Sequence, residues 1–419
     1  MKRESGKEAA DVTILGAGIV GVCCALSALE RGLTVTIIDR KDPGEETSYG
    51  NAGVISPWSV VPQCTPEVWK SVPRWLLDPK GPVKVRWRDL PSILPWAWSF
   101  LCNATPEKVE KISDAMSLLM LENLELYRRY LSGTGHENLL AESMHVSVYR
   151  GDTKPALEDL PYRLRSARGA KVEIIGGEEL RDLEPDLAPG YHSAALVKDQ
   201  ARARDPGKLC KVLAAQAQTC GAAFRRCEVT ALRPREDGTH NLETTEGLIP
   251  TRKLVLAVGI WSAELLRPLG IYLPLIAERG YHLEFTEPQV ALNNSIQDAG
   301  AKIIVSSMNG GVRVAGTAEF ASLDAPPNYA RAQALEPLAK RLLPRLNTGA
   351  KRQWMGIRPS FPDNLPAIGP VPGFHNLIAA FGHSHYGLGM APGTGRIIAD
   401  CLEGKAANSD LSMISPARF

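Results

Sequence analysis

The run Gly16-Ala17-Gly18-Ile19-Val20-Gly21 has the G-x-G-x-x-G spacing that lets a backbone carry a phosphate-bearing ligand. Gly16 permits a tight turn, Gly18 lets the main chain approach a pyrophosphate, and Gly21 allows a helix to pack closely on a sheet. Asp39 follows Gly18 by 21 residues, where a carboxylate would accept hydrogen bonds from ribose hydroxyls and repel the extra phosphate of NADP. The bland alternative is a glycine turn that binds nothing, and the turn alone does not separate NAD from FAD. Soon after comes Thr47-Ser48-Tyr49-Gly50-Asn51-Ala52-Gly53, small hydroxyl and amide residues able to lie against a flat ligand, or simply a surface loop.

Further along, the candidates are charged and titratable side chains. Arg358, in Gly356-Ile357-Arg358-Pro359, offers a planar fork that matches a carboxylate bidentately; its alternative is a structural ion pair. Arg279, in Glu278-Arg279-Gly280-Tyr281, is the weaker rival. His383 and His385 lie in residues 364–395, a stretch with seven glycines and no Asp, Glu, Lys or Arg. Either histidine suits a base or a hydrogen-bonding spacer. The eight cysteines contain no C-x-x-C and have neither disulfide-framework nor zinc spacing, so free thiols and no metal site are expected.

Elements must hold these groups. Residues 12–15 form an apolar run before the glycine turn, a helical stretch follows to Arg31-Gly32, and the β-branched run 34–38 ends in Asp39, which completes a βαβ unit. Thr105-Pro106 predicts a capped helix over 105–131, and Asp205-Pro206 predicts another to Thr219. Strands are expected over 223–232, 241–245 and 253–258. Alternation over 281–286, 302–307 and 312–315, with Asn309-Gly310-Gly311 as a hairpin turn, predicts an antiparallel sheet unlike the parallel start. The charge-free segment is expected to stay non-helical until a helix over 396–402, stopped by Gly404.

A length of 419 residues suits two to three domains. With 44% apolar and 22% charged residues the chain is globular, and a formal charge of +2 gives no field that would recruit nucleic acid, so a small-molecule partner is expected. The polar N-terminus, residues 1–10, leads straight into a strand, which predicts no signal peptide and a cytoplasmic protein. Neither charge-free stretch, 90–106 or 364–395, is apolar for the ~20 residues a membrane span needs. Six of the eight tryptophans fall between residues 58 and 102; they suit internal packing or peripheral rest on the inner membrane, from which electrons could pass to quinone.

With the later strand that ends in Gly259-Ile260-Trp261-Ser262, and with Gly382-His383 through Pro392, five motifs stand in an order that resembles the D-amino-acid oxidase-like family of FAD-dependent oxidoreductases. The resemblance implies an α/β fold: a Rossmann-type FAD domain from residues 1–57, 195–270 and 350–419, with an inserted α+β substrate domain, 58–194 and 271–349, built on an antiparallel sheet. It implies FAD contacts from Gly16, Gly18, Ile19, Val20, Gly21, Asp39, Arg40, Ser48, Asn51, Ala52, Gly53, Val54, Val229, Gly259 and Trp261. Gly387, Leu388 and Gly389 would meet the flavin ring, where a helix N-terminus favours the negative charge of reduced flavin. Arg358 would grip the substrate carboxylate, Tyr281 would form an active-site wall or simply pack, and His385 is the third catalytic candidate.

The expected reaction is oxidation of a D-amino acid, D-proline and its hydroxylated forms included, by hydride transfer from Cα, which needs a neutral amine and fixed geometry but no obligatory protein base. An oxidase of glycine or sarcosine is the near alternative. A flavin-binding subunit that relays electrons within a larger assembly is the distant one. The electron acceptor would be a quinone or another carrier, and the fold is compatible with an oligomer.

Overall fold

The computed structural model describes residues 10–70, 81, 83–406 and 409–419. The expected leader-free start and Trp75 lie outside these residues. Val12–Leu15 is buried throughout and pairs in parallel with Val35–Asp39 on one side and Lys253–Leu256 on the other. Ala223–Arg226, Leu377–Phe381 and Ala367–Pro370 complete a six-stranded sheet, parallel except at the Ala367–Pro370 edge. Its central strands read as continuous apolar runs because helices cover the sheet. The Ile19–Glu30 helix packs against Pro206–Thr219, which Asp205 caps, and against Gly387–Leu402.

That last helix corrects the expectation of a non-helical glycine segment. It begins at Gly387, nine residues before Arg396, and contains Pro392. Local propensity argues against such a helix, but tertiary packing requires it. A Cβ on Gly393 would lie 2.3 Å from the Leu119 carbonyl oxygen, and one on Gly395 would lie 2.5 Å from that of Cys23, so the glycines let three helices approach closely. Pro392 cannot donate to the Leu388 carbonyl, and the Tyr127 hydroxyl donates to it instead at 2.6 Å.

The helix expected over 105–131 is two, Pro106–Met120 and Asn123–Leu131. Both pack on Gly387–Leu402, and the change of direction at Leu121-Glu122 lets buried Asn123 donate to the Ser56 and Gly389 carbonyls. The strand expected over 223–232 likewise divides. Ala223–Arg226 extends the parallel sheet, whereas Val229–Pro234 joins His240–Thr244 and Gly247–Thr251 in a small antiparallel one.

The second large sheet runs Lys351–Ser360, Ile276–Phe285, Gly311–Phe320, Ile303–Met308, Ser295–Asp298, Leu140–Arg150, Tyr191–Ala203, Val54–Ile55. The 309–311 hairpin is present. The sheet is mixed rather than purely antiparallel, because Ser295–Asp298 runs parallel to Leu140–Arg150. Tyr191–Ala203 and Lys351–Ser360 both belong to it, so the expected crossing at 195 cuts a strand and that at 350 falls just ahead of one. The tryptophans divide too. Trp96 is buried and donates to the Ser360 carbonyl at 3.0 Å, whereas Trp87 and Trp98 are exposed. Among the described residues no helix is long and apolar enough to cross a membrane.

Candidate active site

A cavity of about 1090 Å³ is lined by both large sheets. At one end lies the glycine turn. A Cβ on Gly16 would sit 2.4 Å from the Ala257 carbonyl oxygen and one on Gly21 would sit 1.9 Å from that of Gly16, so strand, turn and helix close up only around hydrogen. Gly18 meets nothing nearer than Ser48 Oγ at 3.4 Å and is open to the cavity. Asp39 accepts from the Ala17 and Lys41 N–H groups at 2.7 and 2.9 Å. Burial pushes its carboxyl pKa up, and those two amides pull the other way. Arg40 lies over the Trp261 ring at 4.3 Å.

Every residue expected to touch the cofactor lines this cavity except Gly21 and Gly53. Gly21 packs behind the turn, and Gly53 accepts from the Ala203 N–H where the chain enters the second sheet. The open Gly18, the Asp39 carboxylate and the N-terminus of the Gly387–Leu402 helix together suit a dinucleotide with a flat ring at its far end.

Arg358, Tyr281 and His385 line the same cavity. Arg358 stands opposite Glu278 in the strand register and donates from Nη1 to Glu278 Oε1 at 2.7 Å. Its side chain nevertheless remains 22% exposed, whereas that of Glu278 is 2% exposed. Ser360 Oγ donates to the other Glu278 oxygen at 2.7 Å and lies 3.0 Å from Ser384 Oγ. Burial alone would raise the Glu278 carboxyl pKa; the Arg358 charge and the Ser360 hydrogen bond help outweigh it and hold it below the ordinary value. Gly280 makes room for the guanidinium, since a Cβ there would lie 2.2 Å from Arg358 Nη2.

The rival arginine is structural. Arg279 is fully buried, and its guanidinium donates to the carbonyls of Ser322, Leu323, Ala325 and Pro326, away from the cavity. The Tyr281 hydroxyl donates to Glu319 at 2.5 Å and accepts from the Asn328 N–H, and burial with Glu319 pushes its pKa up to about 12. Burial pushes His383 down to about 3 and His385 down to about 4, so both rings are neutral at pH 7. His383 bonds Thr394 Oγ1 within the C-terminal helix.

Sequence reasoning missed Glu278 and Gly280, although both stand in the segment quoted for Arg279. Alternation along the strand turns them toward Arg358, a relation that only cross-strand register reveals. It also missed a polar wall from His145, Ser147, Tyr149, Arg165 and Gln297, which carries no motif.

Glycine turn, parallel sheet and extended cavity together define a dinucleotide-binding architecture. Residues 11–401 match the DAO family of FAD-dependent oxidoreductases; the chain belongs to that family, and its cofactor is FAD. It is 38% identical to a D-amino-acid oxidase of Bradyrhizobium diazoefficiens, over 98% of this chain and 99% of that one. It is 30% identical to a D-amino acid dehydrogenase of Paramagnetospirillum magneticum, over 97% and 98%. Its fold is like that of glycine oxidase from Geobacillus kaustophilus, with a TM-score of 0.74, 23% identity and coverage of 98% and 99%.

Proposed function

We propose that this chain oxidises D-amino acids, primary or cyclic secondary amines, to imino acids that water converts to 2-oxo acids and ammonia when the amine is primary. The observation that carries this reading is Arg358, a guanidinium directed into a flavoprotein cavity, braced on one edge by buried Glu278 and open on the other. The open edge binds the substrate α-carboxylate as a charge-assisted pair. Glu278 and Ser360 hold the fork in place, which fixes the α-carbon. The Gly16–Gly21 turn holds the pyrophosphate, Asp39 the ribose, and the N-terminus of the Gly387–Leu402 helix the ring. Held by these residues, FAD would supply the two-electron, hydride-accepting chemistry that oxidises the Cα–N bond to C=N, the substrate amine losing its proton. His385 is neutral and adds a hydrogen-bonding ring rather than a charge. Residues 10–53, 204–275 and 361–419 form the FAD domain in this reading, and the second large sheet with its helices forms the substrate domain.

An electron-relay subunit would have no use for an open guanidinium. Anaerobic mixing with paired D and L amino acids tests the reading: D-enantiomers are expected to bleach the flavin, and bleaching by L-enantiomers alone, or by none, refutes it.

A second observation supports peripheral membrane contact. Trp87, Leu94 and Trp98 are exposed along the Trp87–Asp89 turn and the Leu90–Cys102 helix, beside Lys84, Arg86 and Arg88. Exposed aromatic residues with basic residues nearby in the chain suit an anionic lipid surface, from which electrons would reach a quinone. Flotation with anionic liposomes tests this; complete recovery in the soluble fraction refutes it.

A further inference from the structure

The polar wall opposite the FAD-binding turn contains a cation that the α-carboxylate reading does not use. Arg165 lies on the Leu160–Ala167 helix and lines the cavity. Its Nε donates to the Trp58 carbonyl at 3.1 Å and its Nη1 to the Pro161 carbonyl at 3.2 Å, which holds the fork but leaves Nη2 uncommitted. Among the described residues no carboxylate lies within ion-pair distance of it. The neighbouring arginines differ: Arg163 pairs with Glu110, and Arg168 with Glu110 and Asp114. An inward-facing guanidinium without a counter-ion is costly to keep out of water unless a ligand supplies the charge.

The groups around Arg165 are neutral hydrogen-bonding side chains. Tyr149 and Tyr162 share a 2.5 Å hydroxyl contact, and His145 Nε2 lies 2.9 Å from Gln297 Oε1. Burial, together with the charge of Arg165, pushes His145 down to about 4, so it brings no second cation at pH 7. Tyr386 feels both the Arg165 and the Glu278 charges, and it immediately precedes the helix whose N-terminus faces the ring site. Arg165 and Tyr386 both donate to the 58–61 segment, and Ser384, in the same turn as Tyr386, lies 3.0 Å from Ser360, which bonds Glu278, so Arg165 and the Arg358–Glu278 pair line one cavity.

We infer that the preferred substrates are amino dicarboxylic acids, with the α-carboxylate on Arg358 and the side-chain carboxylate on Arg165. This inference rests on the amine-oxidation reading and deepens it by naming the side chain. The test measures anaerobic flavin reduction by D-aspartate, D-glutamate and D-2-aminoadipate beside D-norvaline and D-norleucine, in the wild type and in Arg165→Met and Arg165→Lys. At least one dicarboxylate is expected to exceed the neutral substrates by about 10-fold or more in kcat/KM. Arg165→Met is expected to cut that preference by about 100-fold, as for a truncated desolvated ion pair, and Arg165→Lys to keep part of it.

Neutral substrates preferred by the wild type overturn the inference. So does a variant that loses dicarboxylic and neutral substrates equally, because Arg165 would then hold the α-carboxylate. Reduction by no amino acid of either hand refutes amine oxidation itself, a distinct outcome. If Arg165→Met does not fold, the flavin spectrum of the wild-type holoenzyme titrated with unreactive glutarate and butyrate decides: tighter glutarate is expected, and equal affinity overturns the assignment.

Discussion

Gly280→Ala is the smallest change that probes the Arg358 geometry without touching a charge. Residue 280 sits in an extended strand that alanine adopts without strain, so the backbone has no reason to move. The new Cβ would lie 2.2 Å from Arg358 Nη2 and 2.4 Å from Cζ, so the guanidinium must retreat by about 1.2 Å to reach ordinary contact. It cannot swing freely, because Nη1 is held by Glu278 at 2.7 Å. A displacement of about 1 Å in a positioning group costs about 100-fold in rate, or about 2.7 kcal/mol of transition-state stabilisation. The expected result is a loss near that size in kcat/KM for D-amino acids, measured by stopped-flow flavin reduction. FAD content should be unchanged, since the phosphate turn is built by other elements, Val12–Leu15 and the Ile19–Glu30 helix. An amine of the same shape without a carboxylate should lose much less. A variant within about threefold of the wild type for amino acids would refute the placement of the substrate carboxylate on Arg358.

Other outcomes follow from the same geometry. Gly18→Leu fills the open face of the turn and should yield protein without yellow colour; full flavin retention contradicts the pyrophosphate site. Tyr127→Phe leaves the Leu388 carbonyl without a donor beside Pro392 and should lower stability by about 1 to 3 kcal/mol in urea unfolding, against no change if water replaces the hydroxyl. His145 and His385 sit near pKa 4 and His282 and His383 near 3, all below the unfolded value of 6.5. Their stabilising effect is complete above about pH 6.5 and is lost as pH falls toward the folded values, about 1.4 kcal/mol each by pH 5.5. Urea midpoints should drop steeply from pH 7 to 5.5, and a flat profile would show that the rings are solvated.

The βαβ unit was legible in the sequence because its signals are local: an apolar run, glycines at fixed spacing, a helix stop and an acid at the next strand end. The C-terminal segment misleads for the same reason. Seven glycines and a charge-free composition argue locally against a helix, yet Gly393 and Gly395 are what let that helix touch Leu119 and Cys23. Arg358 was picked out by its motif, but its bond to Glu278 depends on the pairing of strands some 80 residues apart, which no local pattern encodes. Arg165 was invisible, since in a basic run with Arg163 and Arg168 it reads as part of a solvated face.

The most direct measurement is a crystal structure of the FAD-loaded protein with an unreactive α-substituted carboxylate soaked into the cavity. The carboxylate is expected on the open edge of Arg358, with Glu278 still bonded to the other edge and the α-carbon over flavin N5. A carboxylate bound elsewhere while Arg358 stays wholly engaged with Glu278 would contradict this placement.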